Sequence, residues 1–147
     1  MSAQLQKIVE PIVNAPLITI GIISAAQIKQ ARLQAQLQQR RTLEVLEEIT
    51  EYDQEQFLHA LSRALHFSAI EMKELNTLSP AFERVAFSTA QQKECLAFNT
   101  EENKVVLVFA DPFNEGLQDW ATEHVKQPFT WRLAHKSDIA AFLARHE

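Results

Sequence analysis

The chain has 147 residues with two glycines and one cysteine, and 14 basic against 19 acidic residues give a formal net charge of −5. A chain of this length can bury a core without cross-links, and a single cysteine has no disulfide partner within the chain. So few glycines disfavour turn-rich β architectures, and the negative charge disfavours nucleic-acid binding, which needs a dense positive field.

The N-terminal apolar run from Ile12 to Ile23 is too short to span a bilayer and is interrupted by Asn14 and Pro16. The basic residue ahead of it, Lys7, is balanced by Glu10, which is not typical of a signal peptide. We therefore expect a cytoplasmic protein without direct membrane insertion.

Three helices are predicted in the first half of the chain. Ser24 is a natural N-cap for the first and Asp53 for the third, and the second runs from about Arg41 to Ile49. The apolar residues of the first helix are Ile28, Ala31, Leu33, Ala35 and Leu37, and those of the third are Phe57, Leu58, Leu61 and Leu65. Short connections favour antiparallel neighbours, so residues 1–72 are predicted to form a helical lobe.

The second half of the chain alternates strand and helix patterns. Strands are predicted at Glu94–Phe98, Lys104–Ala110 and Phe129–Ala134, and Thr100–Asn103 is predicted as a hairpin loop. Helices are predicted after Ser79-Pro80, from Ser88 or Thr89, from Asn114 to Val125, and from Ser137 to Arg145. Residues 73–147 should therefore form an α/β lobe with a three-stranded sheet, which makes the whole chain α+β.

Charge is unevenly distributed around residue 41. Lys29, Arg32, Arg40 and Arg41 occupy a stretch without acids, and an acidic stretch from Glu44 to Glu55 follows directly. Two interpretations remain open, an anion-binding patch and two solvated helix faces of opposite sign.

Catalytic and metal-binding patterns are weak. His59 and His66 lie seven residues apart without an obvious third ligand, so we predict structural histidines and no metal. Two glycines cannot supply the phosphate loop of an ATPase. Asp111 follows a strand, and with Pro112 it is interpreted as an Asx-turn rather than a catalytic acid. Cys95 is predicted to be a buried, inert thiol.

The two tryptophans, Trp120 and Trp131, have two interpretations. Tryptophan is enriched at interface hot spots. However, Trp120 falls on a predicted amphipathic helix, and Trp131 alternates with Phe129 and Leu133 on one strand face. Core packing is therefore the favoured interpretation for both.

Two segments of the first half can be aligned with each other at a spacing of about 29 residues. One starts at Ile12 and the other at Arg41. Together with the turn Ala110-Asp111-Pro112, they resemble the N-terminal, non-ATPase domain of type II secretion and type IV pilus assembly ATPases. That family carries two motif copies, each opening on Arg-Leu-Gly. The matching residues of the first copy are Leu17, Ile18, Gly21, Ile23, Ser24, Gln27, Ile28 and Ala31, and those of the second are Arg41, Leu46, Gln56, Phe57, Ala60 and Leu61.

This sequence departs from the family motif at several positions. The first copy has Ile12 in place of the arginine and Asn14 in place of the first glycine. The second copy has Leu43 and Thr50 in place of both glycines. A side chain at these positions obstructs close approach of the backbone to a ligand. The motifs for a bound nucleotide are therefore degenerate.

The resemblance implies a non-enzymatic regulatory domain. It would dock on the cytoplasmic domain of an inner-membrane protein in a secretion, pilus or exopolysaccharide apparatus, and it would be recruited to the inner membrane in this way. The alternative that the resemblance implies is a cyclic di-GMP receptor module. Its ligand-binding residues would be Arg40, Arg41, Leu17, Ile18, Leu46 and Leu61. No other cofactor is implied.

Overall fold

The computed structural model describes residues 21–147. Three helices form its first part, α1 (Ala25–Gln38), α2 (Thr42–Thr50) and α3 (Gln54–Leu65). They occupy the three predicted positions. No helix in residues 21–147 combines the length and the apolar character that a membrane crossing requires.

Helices α1 and α3 begin with the same local structure. The Ser24 hydroxyl accepts from the Gln27 amide at 3.1 Å, and the Gln27 side chain accepts from the Ser24 amide at 2.9 Å. Asp53 and Gln56 make the same reciprocal pair at 2.8 and 3.4 Å. Each capping box satisfies two backbone donors that the first helical turn would otherwise leave free. Both predicted N-caps are confirmed.

The remaining elements alternate helix and strand. They are β1 (Ser68–Ala69), α4 (Met72–Leu75), α5 (Phe87–Lys93), β2 (Cys95–Asn99), β3 (Val105–Phe109), α6 (Glu115–His124), β4 (Phe129–Leu133) and α7 (Lys136–Arg145). The four strands form one mixed sheet in the order β1-β4-β3-β2. β2 and β3 pair antiparallel across the predicted hairpin loop, and β4 runs parallel to β3 and β1.

The α+β class and the three predicted strands are confirmed, but the sheet has a fourth strand. β1 has only two residues, so it leaves no alternation to detect, and its pairing partner β4 lies more than 60 residues further along the chain. The amide of Ile70 extends this pairing by donating to the Leu133 carbonyl at 2.9 Å.

The helix predicted after Ser79-Pro80 is wrong. Pro80 forms an isolated antiparallel bridge to Phe98, and the Ala81 amide donates to the Ala97 carbonyl at 2.7 Å. This segment therefore runs along the outer edge of β2, where a proline is tolerated. Pairing at a free sheet edge outweighs the local capping signal.

Two helix starts differ slightly from the prediction. α5 begins at Phe87 with Ala86 as its N-cap, ahead of Ser88 and Thr89. α7 has His135 as its N-cap, and its Nδ1 accepts from the Ser137 amide at 3.1 Å. Ser137 is thus a residue of the first helical turn rather than the cap.

The buried apolar side chains of both halves form one connected hydrophobic cluster. It joins Leu46 of α2 and Phe57 of α3 to Leu107 and Leu133 of the sheet and Phe142 of α7. The division of the chain at residues 72 and 73 stays a prediction.

Candidate functional site

The two motif copies have equivalent helix starts. Ser24 and Asp53 are separated by the 29-residue spacing of the copies, and so are Gln27 and Gln56, their capping-box partners. The sequence alignment of the two copies therefore corresponds to a repeated local structure, because each copy contains the capped start of a helix.

The backbone conformation at Gly21, the glycine retained in the first copy, requires a residue without a side chain. Gly21 has a φ of 74°, and a Cβ at this position would lie 2.9 Å from Cζ of Tyr52. The Tyr52 hydroxyl accepts from the Ile22 amide at 3.0 Å and lies 2.8 Å from the Ile22 carbonyl, to which it donates. A side chain at residue 21 would therefore meet the ring that holds this segment.

The equivalent turn in the second copy has a different backbone conformation. Thr50 occupies the position of Gly21 and is the last residue of α2. The left-handed residue is the next one, Glu51, at a φ of 57°. The second copy therefore needs no glycine at residue 50.

Arg41, the one motif arginine that this sequence keeps, contacts two carboxylates. Its Nη2 lies 2.5 Å from Glu94 Oε1 and 3.0 Å from Asp111 Oδ2, and its Nε donates to the same Asp111 oxygen at 3.3 Å. The hydrogen bond to Glu94, followed by that to Asp111, raises the pKa of Arg41 above its ordinary value. These contacts connect the start of α2 to the open end of the β2–β3 hairpin, where Glu94 precedes β2 and Asp111 follows β3.

Asp111 has the predicted turn geometry. Its Oδ1 accepts from the Phe113 amide at 3.0 Å, which is the Asx-turn expected beside Pro112. The other carboxylate oxygen accepts hydrogen bonds from Arg41. Both oxygens of Asp111 are therefore engaged in hydrogen bonds within the fold.

Arg40 faces solvent and forms a two-bond ion pair with Glu48. The hydrogen bond from Arg40 lowers the pKa of Glu48. Arg40 and Arg41 are neighbours in sequence, but they contact separate sets of carboxylates.

The predicted apolar ligand contacts lie in the core or outside the described residues. Leu46 is 0% exposed and Leu61 is 2% exposed. Leu17 and Ile18 lie outside residues 21–147. The structure therefore places Arg40 and Arg41 beside carboxylates and buries the two described leucines in the core.

The acidic face of α2 contacts the start of α7. Lys136 Nζ donates to Glu44 Oε2 at 3.0 Å, and His135 Nε2 lies 2.8 Å from Glu47 Oε2. The hydrogen bond from Lys136 lowers the pKa of Glu44. Part of the acidic stretch after residue 43 is thus engaged in tertiary contacts rather than solvated.

The solvent face of α1 carries apolar side chains whose exposure the sequence analysis did not predict. Leu33 is 55% exposed and Leu37 is 85% exposed, whereas Ala31 and Ala35 are buried. A separate phase for the two leucines was visible in the sequence, because they lie two residues after each buried alanine. The sequence analysis named the five apolar residues together and did not separate the two phases.

The aromatic and thiol candidates pack within the fold. Trp120 stacks on His124 with ring centroids 4.9 Å apart, and Lys93 Nζ lies 5.0 Å from the centre of the Trp120 ring. Trp131 makes edge contacts with Phe109 and Phe129. Cys95 is buried, and burial raises the pKa of its thiol to about 12. Cys95 is buried as predicted, while Trp120 and Trp131 are both half-buried and pack against the core.

The fold is an α+β domain in which two helices, 29 residues apart in sequence, begin with equivalent capping boxes. The model of the MshEN domain matches residues 68–147, which is more than half of the chain, and the chain belongs to this family. The resemblance to the N-terminal domain of type II secretion and type IV pilus ATPases is thereby confirmed. No curated protein matches the chain.

Solved structures share the fold. A structure of MshE with cyclic di-GMP is 18% identical and superimposes with a TM-score of 0.63, covering 86% of this chain and 92% of that one. The N-terminal domain of XpsE is 16% identical with a TM-score of 0.58, covering 84% of this chain and 86% of that one. A second crystal form of the XpsE domain has a TM-score of 0.56.

Proposed function

We propose that this regulatory domain docks, through the solvent face of α1, on the cytoplasmic domain of an inner-membrane protein in a secretion, pilus or exopolysaccharide apparatus. The observation that carries the proposal is the exposure of Leu33 and Leu37 on one helix face. Exposed leucines are unfavourable in water, and burial against a partner recovers about 25 cal/mol per Å² of apolar surface.

Charge indicates the chemistry of the partner. Lys29 is exposed one helical turn before Leu33, and no acid occurs between Ala25 and Leu43. A complementary surface would therefore place an apolar ridge over the leucines and carboxylates beside Lys29. Such charge complementarity sets orientation and association rate, while the leucines contribute most of the affinity.

Membrane recruitment tests this proposal. Inverted inner-membrane vesicles of the source cell would be incubated with the purified chain and sedimented. We expect saturable co-sedimentation, which the double variant Leu33→Gln/Leu37→Gln loses. A matched control, Gln118→Ala/Glu123→Ala on the solvent face of α6, should behave as wild type.

Two further outcomes decide the nature of the receptor. Vesicles treated with protease on their outer, cytoplasmic face should no longer bind the chain, because the proposed receptor is a protein. Binding that survives protease, or that is unchanged in the leucine variant, would overturn the proposal. Exposed substitutions of this kind change stability by no more than about 0.5 kcal/mol, so folding is not a confounding factor.

Cyclic di-GMP binding is the second candidate function. It is supported by the shared fold with MshE in its structure with that nucleotide and by the retained Gly21 and Arg41. In this mode Arg41 must exchange Glu94 and Asp111 for a phosphate, with Arg40 as a second cation. Leu17, Ile18, Leu46 and Leu61 are the apolar contacts that this candidate function implies. Because Leu46 and Leu61 are buried, binding would also require a shift of α2 or α3.

Isothermal calorimetry with cyclic di-GMP, and with GMP as a control, tests this second function. Saturable binding to cyclic di-GMP alone would support it. A charge-assisted hydrogen bond contributes about 1.5–3 kcal/mol, so Arg41→Ala should then weaken binding by roughly ten- to a hundredfold. The absence of heat at high nucleotide concentration would exclude it.

A further inference from the structure

The outer face of α3 brings an imidazole and two carboxylates together, away from the motif residues discussed above. Glu55 and His59 lie one helical turn apart on α3, and Glu71 immediately precedes α4. His59 Nε2 lies 2.9 Å from Glu71 Oε2. One ligand atom from each of the three side chains falls within 4.8 Å of the other two.

This donor set suits a divalent transition metal, and zinc in particular. Zinc binds imidazole nitrogen and carboxylate oxygen at about 2.0–2.2 Å, and sites with three protein ligands keep a fourth position for water. Two ligand atoms on a tetrahedral ion of this size are about 3.3 Å apart, so His59 and Glu71 need to separate by only a few tenths of an ångström. Two carboxylates and a neutral imidazole also balance the charge of the ion.

The three side chains can adjust without disturbing the core. The His59 side chain is 39% exposed and that of Glu71 is 47% exposed. Glu71 is the N-cap of α4 but makes no side-chain capping bond. Reorienting it toward a metal therefore removes no helix cap.

A second observation at this place is independent of the three ligands. A cavity of about 510 Å³ opens on the same side of α3 and is lined by Glu55, His59 and Ser62, among others. Ser62 is 3% exposed, and its Oγ has no hydrogen-bond partner among the described residues. A buried hydroxyl without a partner is unfavourable, and rotation of the Ser62 side chain toward the cavity would let a polar group there satisfy it.

We propose that Glu55, His59 and Glu71 bind a divalent transition-metal ion, with zinc preferred, and that the Ser62 side chain then rotates so that its hydroxyl meets a metal-bound water in the cavity. The site lies on the side of α3 opposite the buried Phe57 and Leu61, so it is distinct from the motif positions. The metal would join α3 to the segment before α4. This proposal departs from the prediction of no metal site, which considered His59 and His66 without Glu55 and Glu71.

Zinc titration of the chelator-treated full chain tests the proposal, with calorimetry and thermal unfolding as readouts. We expect one zinc ion per chain, a higher Tm with zinc, and no comparable response to magnesium, which avoids imidazole ligands. His59→Ala and Glu71→Gln should each weaken zinc binding by at least about tenfold. The matched control, His124→Ala, removes an exposed histidine on α6 and should leave it unchanged.

The Ser62→Ala variant tests the role of the hydroxyl separately. It should raise the Tm of the metal-free chain, because an unsatisfied buried group is removed, and it should weaken zinc binding. An unchanged zinc affinity in this variant would overturn the role of the hydroxyl. The absence of saturable zinc binding, or equal binding in wild type, His59→Ala and Glu71→Gln, would overturn the site itself.

Discussion

Arg41 shows how the role of one residue depends on partners that are distant in sequence. The sequence identifies it as the one retained motif arginine, which indicates a ligand anchor. In the structure its guanidinium lies between Glu94 and Asp111, which are 53 and 70 residues away. Periodicity and capping rules report only near neighbours, so neither carboxylate could be assigned to Arg41 in advance.

Replacing Arg41 should destabilise the fold itself. Arg41→Ala leaves Glu94 and Asp111 facing each other without a cation, and we expect the free energy of unfolding to fall by about 1–2 kcal/mol. This figure is discounted because the arginine side chain is 38% exposed. Urea unfolding measures the change. Arg40→Ala removes a more solvated pair and should have a smaller effect, so equal losses in the two variants would contradict the account.

Cys95 should be unreactive in the folded chain. Burial raises the pKa of its thiol to about 12, so the thiolate that reacts with a disulfide reagent is almost absent at pH 8. We expect slow labelling in buffer and complete labelling in denaturant. Rapid labelling under native conditions would show that β2 opens readily or that the thiol is accessible.

At the scale of elements, the sequence predicted correctly the features that depend on residues close to one another along the chain. Ser24 and Asp53 were identified as N-caps because a capping box lies within four consecutive residues. The failures were non-local: the edge pairing of Pro80 with Phe98 and the two-residue strand β1 both depend on strands that are distant in sequence. The burial phase of α1 also depended on its contacts with α2.

The capping box of α3 should make a measurable contribution to stability. Asp53→Ala removes the acceptor for the Gln56 amide, and we expect a loss of about 1 kcal/mol in the free energy of unfolding. Asp53→Ser retains an acceptor and should recover most of it. If serine and alanine were equally destabilising, the capping bond would not be the cause.

Acid should destabilise the contacts between elements. Hydrogen bonds from Lys136 and Arg132 lower the pKa of Glu44 and Glu74 below the ordinary value of 4.5. Their contribution is therefore fully present above that value and is lost as pH falls through the lower folded-state pKa values. Chemical unfolding between pH 6 and 3 should show a decline that is shallower in Glu44→Gln/Glu74→Gln. An identical slope would exclude these two pairs as a cause.

At the scale of the whole molecule, the α+β class and most of the order of elements could be predicted, and most of the surface could not. Strand patterns such as Val105–Phe109 carry their own signal, and membership of the MshEN family agrees with them. The exposed leucines of α1 left only a weak signal in the sequence, and the Glu55, His59 and Glu71 cluster arises only when separate segments meet. The functions proposed for this domain therefore rest on the information that sequence patterns carry least.

Site-specific photo-crosslinking in the source cell tests the docking claim most directly. A photoreactive amino acid would replace Leu33 or Leu37 in separate variants, with Gln118 on α6 as the control position. The account predicts a covalent adduct with an integral inner-membrane protein from both α1 positions and none from the control. No adduct from α1, or the same adducts from all three positions, would contradict it.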